Sequence, residues 1–150
     1  QGFLSSQGRI PQRWQVQMIL VDTSVWIDFF RGDSGASSTA LAQCLGDASV
    51  AVGMADLVLF EVMRGFRDNR AMREAQSLLC ALPQVELGGT DNALLAAGRY
   101  RQLRSRGRSV SSPIDVLLAS YCMNHGHVLL HRDADFASLQ ILGGLDTWPH

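Results

Sequence analysis

The chain has 150 residues, 47% hydrophobic and 18% charged, the size of one domain and a balance that excludes an intrinsically disordered or collagen-like protein. No apolar run approaches the roughly 18 residues that span a bilayer, and a formal net charge of -1 argues against a strongly basic nucleic-acid binder. All 13 basic residues are Arg, which removes Schiff-base enzymes, P-loop kinases and other chemistry that needs a lysine ammonium.

Residues 1–17 are polar and show neither helical nor strand periodicity, so the expectation is a vector-derived or disordered extension, with Met18 as the natural start and a single domain over 18–150. From Met18 onward short apolar runs alternate with longer amphipathic ones, the pattern of βαβ units. MILVD (18–22) reads as a buried strand, followed by Ser24 as N-cap of a short helix through Phe30, closed by Gly32. A second helix is expected over Ser38 to Leu45 and a second strand over VAVGM (50–54). The next helix carries Leu59, Val62, Met63 and Phe66 at i, i+3, i+4 and i+7. Asn69 to Leu82 is another helix, ended by Pro83, and QVEL (84–87) a third strand. Thr90 is the expected N-cap of a helix bearing Ala93, Ala96, Ala97, Tyr100 and Leu103, stopping near Gly107. Ser112 and Pro113 begin a further helix, HVLLH (127–131) is a fourth strand, and LDTW a fifth at the sheet edge.

In parallel α/β sheets binding sites form outside the carboxyl ends of the strands. Asp22 ends the first strand; Asp133 and Asp135 follow the fourth. Asp115 begins a helix and Glu61 lies early in another, both placed to reach the same crevice. Several carboxylates in one crevice raise each other's pKa, and a divalent cation resolves the repulsion; Mg²⁺ held by one or two carboxylates, water and substrate phosphate suits such a set. Each acid also has a plain structural reading. Asp22 is a possible helix N-cap, Asp115 completes a Ser-x-x-Asp capping box with Ser112, Glu61 pairs with Arg64 at i+3, and Asp133 and Asp135 are turn formers before Phe136. Cys44, Cys80 and Cys122 show no CxxC pair and no zinc spacing, the pattern of a reduced cytoplasmic chain.

Four segments in order, MILVDTSVWIDFFRG, LVLFEVMRGF, SSPIDVLLASYC and LLHRDADF, resemble the successive motifs of PIN-domain ribonucleases, particularly the VapC-like toxins of VapBC toxin–antitoxin systems. The resemblance covers Met18 to about Phe136. It implies a three-layer α/β/α sandwich on a mainly parallel sheet, with Asp22, Glu61, Asp115 and Asp133 as the catalytic set. Asp22, Asp115 and Asp133 are implied as the metal-facing acids for Mg²⁺, or Mn²⁺ in its place, and Asp135, Thr23 and Ser24 as auxiliaries. Many members have Thr or Ser where this chain has His131 and Arg132. The implied activity is hydrolysis of a structured RNA such as tRNA by metal-activated water, leaving a 5′-phosphate and a 3′-hydroxyl. A cognate antitoxin, homodimerisation and a cytoplasmic location, away from membranes, are implied as well.

Arg64, Arg67, Arg70 and Arg73, and the five arginines from Arg99 to Arg108, are candidates for phosphate contacts, with Arg64, Arg67, Arg101, Arg104 and Arg108 foremost. Solvated helix faces are the competing reading. Other classes fit less well: VDTSV lacks the second Asp of a haloacid-dehalogenase-like phosphatase, and the absence of Lys opposes a receiver domain. A metal-independent ribonuclease using His125, His127 or His131 and a catalytically silent PIN-like module that binds RNA or protein remain as alternatives.

Overall fold

A computed structural model describes residues 17–110, 112–132 and 135–148, the side chain of Asp135 excepted. The elements run β1 (Met18–Val21), α1 (Thr23–Phe30), α2 (Ala36–Gly46), β2 (Ala51–Ala55), α3 (Asp56–Met63), α4 (Asn69–Cys80), β3 (Gln84–Val85), α5 (Thr90–Ser105), α6 (Pro113–His125), β4 (Val128–Leu130), α7 (Asp135–Gln140) and β5 (Asp146–Thr147). The strands form one sheet in the order β3-β2-β1-β4-β5, and every pairing is parallel. With its helices, the sheet forms the expected three-layer α/β/α architecture.

A parallel sheet covered on both faces needs strands that are apolar throughout. Ile19, Leu20 and Val21 in β1, Val52 and Met54 in β2, and Leu129 and Leu130 in β4 are buried accordingly. Close packing also constrains Gly53: a Cβ there would approach Leu20 Cδ2 and Met18 Sδ to 2.9 Å, so a larger residue at the centre of β2 would have to displace the ends of these two side chains. Trp26 stacks on Phe30 at 6.0 Å, and Phe30 meets Phe66 edge-on at 5.7 Å.

Several expected boundaries shift. Asp22, with extended backbone angles, is the N-cap of α1, rather than Ser24: the helix begins as soon as β1 ends. Its carbonyl accepts from the N–H groups of Val25 and Trp26. The helix containing Glu61 stops at Met63, so Phe66 reaches the core from the following loop, and α4 ends at Cys80 rather than Leu82. Gly89, rather than Thr90, caps α5. Helix α7 was not foreseen; six residues give too little periodicity, although Phe136 and Leu139, three apart, are both fully buried. Gln17, counted with the extension, donates to the Gly126 carbonyl at 3.0 Å, while residues 1–16 lie outside the described part.

At the amino end of the sheet, Met18 N–H donates to His127 Nδ1 at 3.0 Å. His127 stacks near Tyr121 and His125, with ring centroids 5.8 and 6.0 Å away. Burial, reinforced by His125, holds His127 below its ordinary pKa. The unfolded chain therefore takes up this proton first, so the contribution is complete above about pH 6.5 and is lost as pH falls through the lower folded-state value. Thermal unfolding at pH 7 and pH 5 should show a smaller acid-induced fall for His127→Asn, which keeps an acceptor near the Nδ1 position, than for wild type; equal falls would contradict this assignment.

Candidate active site

The strand order fixes where a crevice opens. From β1 the chain builds outward through β2 to β3, then crosses to the other side of β1 to add β4 and β5. This makes the β1–β4 junction the topological switch point, whose carboxyl end is the expected site. Asp22 N–H donates to the Leu130 carbonyl at 2.9 Å, tying together the strand ends that carry Asp22 and, three residues beyond Leu130, Asp133. Asp133 itself lies outside the described residues, as does the side chain of Asp135.

Asp22 is 4% exposed. Its side chain makes no capping bond to α1, and Oδ2 instead accepts from the Ser24 hydroxyl. The N-cap role therefore belongs to the Asp22 backbone, leaving the carboxylate a different set of contacts. Thr23 Oγ1 donates to Glu61 Oε1 at 2.7 Å, joining the start of α1 to the middle of α3. Arg64 lies 3.8 Å from Glu61 Oε2 and is itself 63% exposed, so this i,i+3 pair is a weak surface interaction. Thr23 and Ser24 thus each orient one acid.

Asp115 reaches the same edge through α6. The last turn of α6 leads directly into β4, and its C-cap Gly126 accepts from Gln17 beside the start of β1. The first turn of α6 consequently points to the opposite, carboxyl edge. Ser112 accepts from Asp115 N–H at 3.4 Å, so half of the anticipated capping box forms through the backbone, while the Asp115 side chain is buried at 7% exposure. Among the described residues, no three His, Cys, Asp or Glu side chains form a group that could hold a metal ion. The donors present, Asp22, Asp115 and Glu61, are hard carboxylate oxygens, the chemistry that suits Mg²⁺ or Mn²⁺.

The histidine alternative is poorly placed. His127 and His131 flank β4, about 13 Å apart along an extended strand, and His125 packs tilted against Tyr121 at the amino edge, with ring centroids 4.2 Å apart. Among the arginines, Arg101, Arg104 and Arg108 are exposed on or just after α5, whose Tyr100 lines a groove shared with Pro113 and Val116 of α6. Arg67 is exposed beside a recess between α1 and α3.

Arg99 departs from the expectation of a phosphate contact. Its Nη1 donates to Ser120 Oγ at 2.5 Å, the Ser120 carbonyl at 3.3 Å and Asn124 Oδ1 at 2.7 Å. Asn124 donates in turn to Asn92, which bonds the carbonyls of Leu87 and Leu117. Asp56, given no role by the sequence, is a second such link; its Oδ1 accepts from Leu57 and Leu87 N–H. Both are long-range polar links for which local sequence carries no signal.

The parallel sheet, its switch point between β1 and β4 and two buried acids, Asp22 and Asp115, at its carboxyl edge define the class as an α/β protein. A PIN-domain family model matches residues 19–142, and the chain belongs to the PIN-domain family. It is 31% identical over 119 residues to the VapC ribonuclease Mb1587 of Mycobacterium bovis and to ribonuclease VapC11 of Mycobacterium tuberculosis, covering 79% of this chain and 89% of each relative. The fold is similar to DNA-bound VapBC from Salmonella typhimurium, with a TM-score of 0.71 at 15% identity, covering 89% of this chain and 98% of that one. It is also similar to Mycobacterium tuberculosis VapC20, described as a Sarcin-Ricin loop cleaving toxin, with a TM-score of 0.61 at 19% identity over 87% of this chain and 99% of that one.

If Arg99 holds α5 to α6, Arg99→Met leaves the fully buried Ser120 hydroxyl without its donor and should cost about 1–2 kcal/mol in urea unfolding. RNA affinity should stay unchanged; weakened RNA binding at unchanged stability would return Arg99 to the phosphate-contact candidates.

Proposed function

We propose that this protein is a VapC-type toxin endoribonuclease that hydrolyses phosphodiester bonds of structured RNA. The observation that carries the reading is the placement of Asp22 and Asp115, both buried, at the carboxyl edge of the sheet, with Glu61 held to Thr23 beside Asp22. Membership of the PIN-domain family and the 31% identity to VapC ribonucleases support the choice of reaction.

Asp22, Asp115 and Asp133 would hold a divalent cation, which when bound supplies a water of lowered pKa and charge compensation at the phosphoryl oxygens. Ser24 fixes one oxygen of Asp22, limiting the rotation of a carboxylate that must face the substrate. Glu61 is the proton acceptor for the attacking water. The Thr23 hydroxyl holds Oε1, leaving the second oxygen toward Arg64 and solvent. Asp135 is an auxiliary acid. Arg64, Arg67, Arg101, Arg104 and Arg108 steer the RNA backbone toward an otherwise acidic mouth, since Arg binds phosphate bidentately.

An antitoxin is the proposed partner, in keeping with the VapBC complexes among the fold neighbours. The recess lined by Leu59, Met63, Phe66, Met72 and Cys80 between α3 and α4 offers it an apolar dock. A homodimer and a cytoplasmic setting complete the proposal. None of the described helices is long and apolar enough to cross a membrane.

The test incubates antitoxin-free protein with total tRNA and with ribosomal RNA in Mg²⁺ or Mn²⁺. Cleavage should leave 5′-phosphates, stop with EDTA, and fall at least about 100-fold in Asp22→Asn. Thr23→Val should give an intermediate loss of about tenfold, since it removes only the hydrogen bond that orients Glu61. EDTA-resistant formation of 2′,3′-cyclic phosphates would transfer the chemistry to histidine; no cleavage of either RNA by folded protein would favour a silent binding module.

A further inference from the structure

Arg132 directly precedes Asp133, and the mechanism above gives it no task. Its Nε lies 2.5 Å from Asp28 Oδ2, with the Asp28 side chain 13% exposed and that of Arg132 50% exposed. Asp28 sits in α1, under two helical turns beyond Asp22. A carboxylate so far from water is costly unless paired, so the pairing requirement of Asp28 dictates where the guanidinium rests.

Helix α1 is therefore tied to the end of β4 twice. Asp22 N–H bonds the Leu130 carbonyl at 2.9 Å, and Asp28 holds Arg132 two residues further on. Only His131 lies between the two anchored positions, which leaves the backbone little freedom of direction as it departs toward Asp133. A half-exposed arginine beside an RNA site has an obvious competing role as a phosphate contact. The pairing of Nε with a nearly buried acid on α1 favours an internal task instead.

We propose that Asp28 and Arg132 are positioning residues: an ion-pair clamp that fixes the end of β4 against α1 and so sets the direction in which the chain leaves Arg132 toward Asp133. The proposal rests on the nuclease reading for its kinetic consequence, though not for its structural one. The clamp acts on the geometry of the reacting groups, whereas a phosphate contact acts on RNA binding, and the two separate in steady-state kinetics.

The experiment compares wild type with Asp28→Asn, Asp28→Leu, Arg132→Gln and the double variant Asp28→Asn/Arg132→Gln. It measures kcat and KM on the RNA that wild type cleaves, and hydrogen–deuterium exchange across the peptide 130–139. Asp28→Leu provides a shape-preserving apolar replacement should another variant fold poorly. The expected result is a fall of about 10- to 100-fold in kcat for each single variant with KM within about twofold. The double variant should be no worse than the poorer single, because both remove one interaction. Exchange in 130–139 should quicken while α5 is unchanged. An increase in KM for Arg132→Gln without any effect of the Asp28 variants would make Arg132 an RNA contact and overturn the clamp, as would unchanged kcat in every variant or unchanged exchange in 130–139. If wild type cleaves no RNA, the nuclease reading fails, and the exchange result alone decides the clamp.

Discussion

The hydrogen bond from Asp22 N–H to the Leu130 carbonyl is the join on which the acidic edge depends. It closes β1 against β4 at the place where the strand order reverses, and it sets the last residue of one strand beside the exit of another. A parallel sheet leaves its carboxyl-end groups pointing out of the ladder at this seam. Asp22 is thereby held at the carboxyl edge by backbone pairing, independent of what its side chain does. Thr23 then carries the same constraint to α3 through Glu61, and Asp28 carries it to the β4 exit through Arg132.

Two polar systems divide the labour of the molecule. One lies at the carboxyl edge, where Ser24 holds Asp22 and Thr23 holds Glu61; the other, running from Arg99 through Ser120 and Asn124 to Asn92, locks α5 to α6. The second matters to the first because α6 presents Asp115 from its first turn, and a helix that slid along α5 would move that carboxylate. The α5–α6 lock is internally satisfied, as a buried polar network must be to contribute rigidity. At the amino edge, His127 and Met18 anchor the start of β1, distant from the acids. The chain thus separates the interactions that hold the sheet from those that remain available for chemistry.

Much of this arrangement was legible in the sequence because it depends on local pattern. The apolar runs gave the strands, Ser112 and Pro113 marked the start of α6, and LDTW formed an edge strand as expected. The positions of Asp22 at the end of the first strand and of Asp115 in a first helical turn were likewise readable, whereas Glu61, expected early in its helix, is the sixth of the eight residues of α3 because the helix already begins at Asp56. What local pattern does not encode is which distant residues meet. The Thr23–Glu61 bond spans 38 positions, the Asp28–Arg132 pair joins the first helix to the fourth strand's exit, and Arg99 looked like any other arginine on a helix rich in them. Helix α7 escaped notice because its signal is two buried side chains, and the Asp-Ala-Asp before Phe136 reads equally as a turn.

In the proposed nuclease, carboxylates from four separate segments of the chain share one ion at the β1–β4 seam. Diffraction from crystals grown with Mn²⁺, measured at the manganese absorption edge, would locate that ion. The expected result is an anomalous peak bounded by the side chains of Asp22, Asp115 and Asp133, with Glu61 facing it from α3. Manganese bound elsewhere, or these carboxylates too far apart to share an ion, would contradict it.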